Sequence, residues 1–124
     1  MDLKKLANQY KDELLNNVLP FWLEHSQDHE FGGYFTCLDC EGNVFDTDKF
    51  IWLQGREVWL FSMLYNKVEK KQEWLDCAIQ GGEFLKKYGH DGNYHWYFSL
   101  DRAGNPLVEP YNIFSYTFAT MAFG

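Results

Sequence analysis

The spacing of hydrophobic residues predicts four helices in this chain of 124 residues. The first, over 3–24, and the third, over about 71–88, repeat apolar residues at intervals of three and four, so each has one apolar and one polar side. The second, over about 48–67, and the fourth, from about 110 to 123, are apolar nearly all round. A helix that is apolar on every side is buried on every side. We therefore expect the second and fourth helices to lie inside a layer formed by the other two.

Polar and glycine-rich segments between the helices predict two small hairpins. Their strands and turns are 33–38, 39–43 and 44–45 for the first hairpin, and 94–98, 101–106 and 107–108 for the second. Asp46 or Thr47 is the expected cap of the second helix, and the fourth helix is expected to start at Pro110 or Tyr111. The element order suits two concentric layers around a central cavity. Four helices cannot close such a ring, so we expect the apolar surface of 110–123 to need partners outside this sequence.

Composition narrows the classes of function. Aromatic residues make up 19% of the chain, and aromatic rings fill cores or line ring-binding pockets. The net charge of −7 is opposite in sign to the basic surface that binds nucleic acid. No apolar stretch approaches the roughly 18 residues that a membrane-spanning helix needs. The odd count of three cysteines favours a reducing cytoplasm, and the Cys37–Cys40 pair lacks the second pair of a structural zinc site. We expect a cytoplasmic protein without a metal, a nucleic-acid partner or a membrane partner.

Arg56 is the main chemical candidate, because it lies in the middle of the apolar second helix. A guanidinium keeps its charge in a protein and, when buried, needs acceptors or a wet pocket. Arg56 is therefore either a ligand contact or the partner of a carboxylate in the same bundle. Trp52 and Trp59 lie one turn before and after it on one stripe, as core residues or as a pocket wall. Gly55, which costs about 1 kcal/mol relative to alanine in a helix, predicts close approach of another backbone or a ligand.

The loops and the third helix contain weaker candidates. Asp28 and Glu30 form either an acid/base pair or contacts that cap the first loop or stitch it to the following turn, and the sequence favours the second alternative. Gly81-Gly82 follows no strand and lacks the Lys-Ser/Thr ending of a phosphate loop, so it predicts close helix packing. We expect the first two histidines at the surface rather than at a ligand site. The four histidines lie in loops and a hairpin: His25, His29, His90 and His95.

Five segments together resemble the N-acylglucosamine 2-epimerase family, which includes the renin-binding protein. Cellobiose 2-epimerases and aldose–ketose isomerases such as mannose isomerase are its wider relatives. The Trp-Leu-Gln-Gly-Arg and Gly-Gly-Glu-Phe-Leu runs point to the N-acylglucosamine branch. The segments follow the family's order over almost the whole chain: 21–26, 28–36, 52–59, 81–85 and 113–115.

The resemblance implies an all-α fold, namely the first third of an (α/α)6 barrel with two short β-hairpins between helices. Residues 1–124 are then the N-terminal part of one epimerase domain. The implied reaction interconverts N-acetylglucosamine and N-acetylmannosamine by removal of the C2 proton through an enediolate. Arg56 is implied to contact the sugar oxygen on which charge develops, since a fixed cation in a low-dielectric pocket stabilises an oxyanion. Trp52 and Phe114 are the further substrate-binding candidates, and Phe114 stands where many relatives have tyrosine.

The chain departs from the family pattern because the two catalytic histidines of the family's later helices have no counterpart here. We therefore expect the chain alone to be inactive. The implied chemistry requires no cofactor. ATP or a related nucleotide is an expected activator, and no residue of this chain marks its binding site. The expected oligomer is a homodimer. The sequence leaves open an aldose–ketose isomerase of the mannose type, a cellobiose 2-epimerase, and a non-catalytic carbohydrate- or protein-binding domain.

Overall fold

The computed structural model describes residues 2–109 and 113–124. Within these residues the helices are α1 (Leu3–Glu13), α2 (Leu19–His25), α3 (Ile51–Lys67), α4 (Gln72–Tyr88) and α5 (Phe114–Phe123). The strands are β1 (Cys37–Leu38), β2 (Val44–Asp46), β3 (Lys49–Phe50), β4 (Ser99–Leu100) and β5 (Pro106–Val108). None of the helices described combines the length and apolar character that crossing a bilayer requires.

The predicted first helix is a continuous helical run, but it is not a regular α-helix throughout. A π-helical segment, Leu14–Val18, joins α1 to α2. The sequence predicts a bend in the last turn at Pro20, whereas the irregularity lies before it. Proline has no backbone N–H to donate to the preceding turn, and the wider π turn shifts the hydrogen bonds so that the Leu19 N–H reaches the Leu14 carbonyl. The start is capped by Asp2, whose side chain accepts from two backbone N–H groups.

Both predicted hairpins form, but with other strand bounds. β1 is shorter than the predicted 33–38, and β2 ends one residue later than predicted. The first strand of the second hairpin was predicted at 94–98 and lies at Ser99–Leu100 instead, and β5 begins one residue earlier than predicted, at Pro106. β1 pairs antiparallel with β2, and the second sheet has the order β3-β4-β5, also antiparallel. The third strand, β3, was not predicted, and its pairing with β4 delays the start of the following helix from 48 to Ile51. Phe50 occupies the cap position without a side-chain hydrogen bond, so the prediction of a cap from Asp46 or Thr47 is wrong.

The two hairpin turns share one local design. In each, an aspartate, Asp39 or Asp101, accepts a hydrogen bond from the backbone N–H of the asparagine four residues later, at 2.8 Å. The asparagine amide donates back to the other carboxylate oxygen, at 2.9 Å in the first turn and 2.8 Å in the second. Gly42 and Gly104 adopt positive φ, 87° and 96°, which glycine tolerates without strain. The repeated pattern Asp-x-x-Gly-Asn therefore builds the same turn twice.

The core lies between α3, α4 and the loop that follows α2. Tyr34, fully buried, donates its hydroxyl to the Cys77 carbonyl at 2.7 Å. Gln54 fixes the backbone of the same residue, since its Oε1 accepts from the Tyr34 N–H and its Nε2 donates to the Tyr34 carbonyl, each at 2.8 Å. The core side chains are Leu19, Tyr34, Ile51, Val58, Phe61, Leu64, Trp74, Cys77, Ala78, Phe84, Leu85 and Leu100.

Three glycines test the packing predictions directly. A Cβ at Gly55 would lie 2.6 Å from the Phe118 carbonyl oxygen of α5, which confirms the predicted close approach of another backbone. A Cβ at Gly81 would overlap the Tyr34 ring, so the packing prediction is confirmed there. It is wrong for Gly82, where a Cβ would meet nothing within 4 Å.

Helix α5 leaves much of its apolar surface uncovered by the described residues. Its predicted start at Pro110 or Tyr111 lies outside those residues, and the helix is defined from Phe114. Only Ser115 and Ala119 are buried in it. Phe114 and Phe123 are 58% and 53% exposed, in agreement with the prediction that this helix needs further partners.

Candidate functional site

Arg56 lies on an exposed side of α3, and the expectation that it is buried is wrong. The helix packs against α4 and α5 on two sides, while the side with Arg56 and Trp59 is left open. The Arg56 guanidinium carbon is 5.8 Å from the Trp52 ring centre and 5.6 Å from the Phe118 ring centre. Within the described residues no carboxylate lies within ion-pair distance of Arg56, so the alternative of an intramolecular carboxylate partner is not realised there.

An apolar pocket of about 370 Å³ has as two of its walls Trp52 and Phe118, the rings that the Arg56 guanidinium contacts. Four aromatic rings line it: Trp52, Phe98, Phe114 and Phe118. It brings together two predicted substrate-binding residues, Trp52 and Phe114, and the Trp52 and Phe118 ring centres are 6.0 Å apart. Phe98 and Phe118 were not predicted. The spacing contained a signal for Phe118, because it lies four residues after Phe114 and so on the same face of a helix.

A second cavity, of about 350 Å³, is lined by Arg56 itself. Glu57, Trp22 and Trp59 are among the other residues that line it. Glu57, 9% exposed, is the buried charged residue of α3. Burial raises the pKa of Glu57 to about 8, against the lowering that a hydrogen bond donated by Ser26 would cause. Sequence reasoning missed this residue, and its place in a nearly apolar helix was the available signal.

A cluster of charges lies at the N-terminal end of α3; we call it the Asp28 cluster, formed by Asp28, Lys49, Arg102 and Glu30. The Lys49 Nζ atom is 2.9 Å from the Asp28 Oδ2 atom, and both side chains are fully buried. The Arg102 guanidinium bonds both Asp28 oxygens, at 3.0 and 3.1 Å, and reaches Glu30 at 3.0 Å. The predicted cap is confirmed for Asp28, which accepts from the backbone N–H groups of Glu30 and Phe31 at 3.1 and 3.2 Å. The predicted stitch to the following turn is replaced by links from the first loop to β3 and the second hairpin.

The electrostatics of the Asp28 cluster follow from its geometry. Burial alone would raise the pKa of Asp28, but hydrogen bonds from Arg102 and Lys49 outweigh it and hold that pKa well below its usual range. Burial lowers the pKa of Lys49, and Asp28 opposes that shift. Both oxygens of Asp28 are occupied, so the carboxylate is a structural anion here rather than a free base.

The histidines lie away from the two cavities beside Arg56, neither of which a histidine of the described residues lines. His29 is exposed, as expected. His25 is half-buried, with its ring centre 5.0 Å from that of Phe21, so the surface prediction is only partly right for it. His90 packs on Trp96 at 5.0 Å. His95 hydrogen-bonds Asp91 at 3.0 Å.

The helical arrangement defines the class of protein. It superposes on part of the (α/α)6 barrels of sugar epimerases, which confirms the predicted fold class. Cellobiose 2-epimerase from Bacillus thermoamylovorans B4167 matches with a TM-score of 0.84 and 30% identity, over 98% of this chain and 32% of that one. A D-mannose isomerase structure shares the fold, with a TM-score of 0.73 and 20% identity over 86% of this chain and 28% of that one.

The model of the family N-acylglucosamine 2-epimerase (GlcNAc 2-epimerase) matches residues 33–124, and the chain belongs to this family. It is 44% identical to N-acylglucosamine 2-epimerase of Mus musculus, over 90% of this chain and 27% of that protein. It is 46% identical to N-acylglucosamine 2-epimerase of Homo sapiens, over 87% of this chain and 26% of that protein. Its identity to cellobiose 2-epimerase of Dictyoglomus turgidum is 31%, over 95% of this chain and 30% of that protein. The chain thus spans between a quarter and a third of the length of these relatives.

Proposed function

We propose that the protein acts as a sugar 2-epimerase that interconverts N-acetylglucosamine and N-acetylmannosamine. The observation that carries the proposal is a difference in identity. The chain is 44–46% identical to the mammalian N-acylglucosamine 2-epimerases. It is 27–31% identical to the cellobiose 2-epimerases. The surroundings of Arg56, a cation above two aromatic rings next to an aromatic pocket, support a sugar ligand.

In the proposed reaction, a base removes the C2 proton of the opened sugar. The electron pair of the C2–H bond then forms the C1–C2 double bond of an enolate, the counterpart of an enediolate for a sugar with an acetamido group at C2, and the negative charge rests on the former carbonyl oxygen. Return of a proton to C2 from the other face gives the epimer, and no net oxidation occurs. Arg56 contacts that oxygen, because a preorganised cation stabilises charge that develops in the transition state. Trp52 and Phe114 pack against the carbon skeleton of the sugar and exclude water from it.

The acid and base themselves are proposed to come from residues beyond these 124. This follows the resemblance, in which two histidines of later helices hold that role, and it is supported by the absence of a histidine from the described walls of both cavities beside Arg56. The chain alone is then inactive. Nucleotide activation without an assigned site, a homodimer and a cytoplasmic location belong to the same proposal.

Complementation tests this proposal. The chain is co-expressed with the mouse N-acylglucosamine 2-epimerase from which the matching 27% has been deleted, and the complex is incubated with N-acetylglucosamine in deuterated water. We expect deuterium at C2 of both epimers by NMR. Arg56→Ala removes the cation and is expected to reduce the rate by about 10²–10³-fold, the usual loss for one oxyanion contact. Lys86→Ala, which removes an exposed cation on α4, is the matched control and keeps the rate.

Other outcomes would point to other functions. A ketose as the sole product would indicate an aldose–ketose isomerase instead of a 2-epimerase. Turnover of cellobiose but not of N-acetylglucosamine would indicate a cellobiose 2-epimerase. Deuterium incorporation by the chain without the mouse segment would show that its own residues include the acid/base pair. Sugar binding without exchange in the complex, unchanged in Arg56→Ala, would favour a non-catalytic binding domain.

A further inference from the structure

The Ser26 hydroxyl, at the C-terminal end of α2, contacts two oxygens but has only one hydrogen. Its Oγ atom is 2.6 Å from the Trp22 carbonyl oxygen and 2.5 Å from the Glu57 Oε1 atom. The carbonyl can only accept a hydrogen bond, and an ionised carboxylate can only accept as well. Two oxygens at such distances need a hydrogen between them. One of the two contacts therefore requires a proton that Ser26 does not possess.

The surroundings of Glu57 supply no positive charge that would keep it ionised. Within the part of the chain that the structure describes, no lysine, arginine or histidine lies within ion-pair distance of its carboxyl group. The titratable groups that interact with it are Cys77, from α4, and Tyr34, from the loop before β1. Burial raises the pKa of both of these groups, so both are neutral at neutral pH. Arg56, its neighbour on α3, is exposed and lies by Trp52 and Phe118.

We propose that Glu57 is a neutral carboxylic acid in the folded protein and donates its proton to Ser26, whose hydroxyl in turn donates to the Trp22 carbonyl. The three groups then form a chain of two hydrogen bonds with every hydrogen accounted for. Because it joins α2 to α3, we call it the Glu57 latch. When Glu57 loses the proton, Ser26 has two acceptors and one hydrogen, so one contact is lost. The latch makes the α2–α3 contact, next to Arg56, weaker as the pH rises.

The direction of the pH effect follows from linkage. Glu57 has a folded-state pKa of about 8 against an ordinary value of 4.5. The stability that the proton contributes is fully present below pH 4.5, is lost progressively as the pH rises, and is gone above about 8. For a single group, the equilibrium constant of unfolding rises by up to about tenfold per pH unit within that window.

NMR measures the proton directly. The 124-residue chain is labelled with ¹³C at the carboxyl carbon of glutamate, and the Glu57 signal is assigned by its loss in Glu57→Gln. We expect this signal to titrate near pH 8. Titration of the Glu57 signal at an ordinary carboxyl pH, in a sample whose dispersed amide signals show a folded chain, would overturn the proposal.

Urea unfolding as a function of pH tests the hydrogen bonds. In Glu57→Gln the side-chain amide donates to Ser26 without a titrating proton, so we expect the variant to fold and to lose the decline in stability between pH 4.5 and 8. Glu83→Gln, at an exposed position of α4, is the matched control and keeps the decline. Ser26→Ala removes the acceptor and lowers stability most at acidic pH. If Glu57→Gln declines with pH as steeply as the parent chain, the latch does not exist.

Discussion

Two carboxyl groups are buried in the described part of this chain, and they are in opposite states. Asp28 is 1% exposed and Glu57 is 9% exposed. Asp28 bonds two cations, Lys49 and Arg102, and remains an anion. Glu57 has one neutral partner, Ser26, and we propose that it retains its proton. The partners of a buried carboxyl, more than its depth, therefore decide its charge.

The same difference reverses the effect of pH on stability. The lowered pKa of Asp28 means that its contribution is present above its ordinary value of 3.8 and is lost as the pH falls through the folded-state value. The raised pKa of Glu57 means that its contribution is present at low pH and is lost as the pH rises towards 8. Stability in this chain thus falls in acid, where the Asp28 cluster loses its charge, and falls between pH 4.5 and 8, where the Glu57 latch loses its proton.

The largest expected effect comes from removing the charge of Asp28. Asp28→Asn leaves Lys49 buried without an anion, and its amide N–H groups face the donors of Lys49 and Arg102. We expect a loss of about 3–5 kcal/mol in the free energy of unfolding, measured with urea. Glu30→Gln, which breaks the exposed pair with Arg102, is the control, with a loss of at most about 1 kcal/mol. Equal losses would mean that the cluster is no stronger than a surface ion pair.

The pH dependence of stability in acid distinguishes the parent chain from Asp28→Asn in a second way. Because the amide in Asp28→Asn has no proton to bind in this range, the difference between parent and variant shrinks as the pH falls below 3.8. The measurement is urea unfolding at intervals between about pH 6 and pH 2. A difference that stays constant over this range would show that packing, and not charge, makes Asp28 important.

Two adjacent glycines of α4, Gly81 and Gly82, test how much the packing of this helix on Tyr34 contributes to stability. Gly81→Ala places a methyl group in the Tyr34 ring, and we expect a loss of about 1–3 kcal/mol from overpacking. Gly82→Ala meets open space and is expected to stabilise the helix by about 0.5–1 kcal/mol. Thermal unfolding of both variants checks the opposite signs. A shared sign would mean that helix propensity alone governs both positions.

The smallest expected effect on stability is that of Arg56→Ala. The side chain is exposed and its described contacts are two aromatic rings, and such cation–π contacts contribute about 0.5–1 kcal/mol. We therefore expect a loss of at most about 1 kcal/mol in urea unfolding of the chain. A loss like that of Asp28→Asn would assign Arg56 to the structure, and would remove the reason to assign it to a ligand.

Local pattern was enough for the elements that depend on near neighbours. Helical periodicity predicted the start of α4 to within one residue of the observed start, and the glycine at position 55 correctly indicated that another backbone, that of α5, approaches closely. The strand β3 was missed because two residues show no periodicity, and its pairing with β4 displaced the start of α3. The predicted burial of Arg56 failed because helix composition does not say how many sides find a partner within the described residues.

The sequence by itself determined the helices, the two turns and the membership in a family, because these follow from patterns between residues a few positions apart and from motifs in order. Only the tertiary structure decided the charges. Asp28 meets Lys49 and Arg102 across 21 and 74 positions, and Ser26 meets Glu57 across 31. Whether a buried acid keeps its proton depends on which distant side chain reaches it, and the folded chain alone sets that distance.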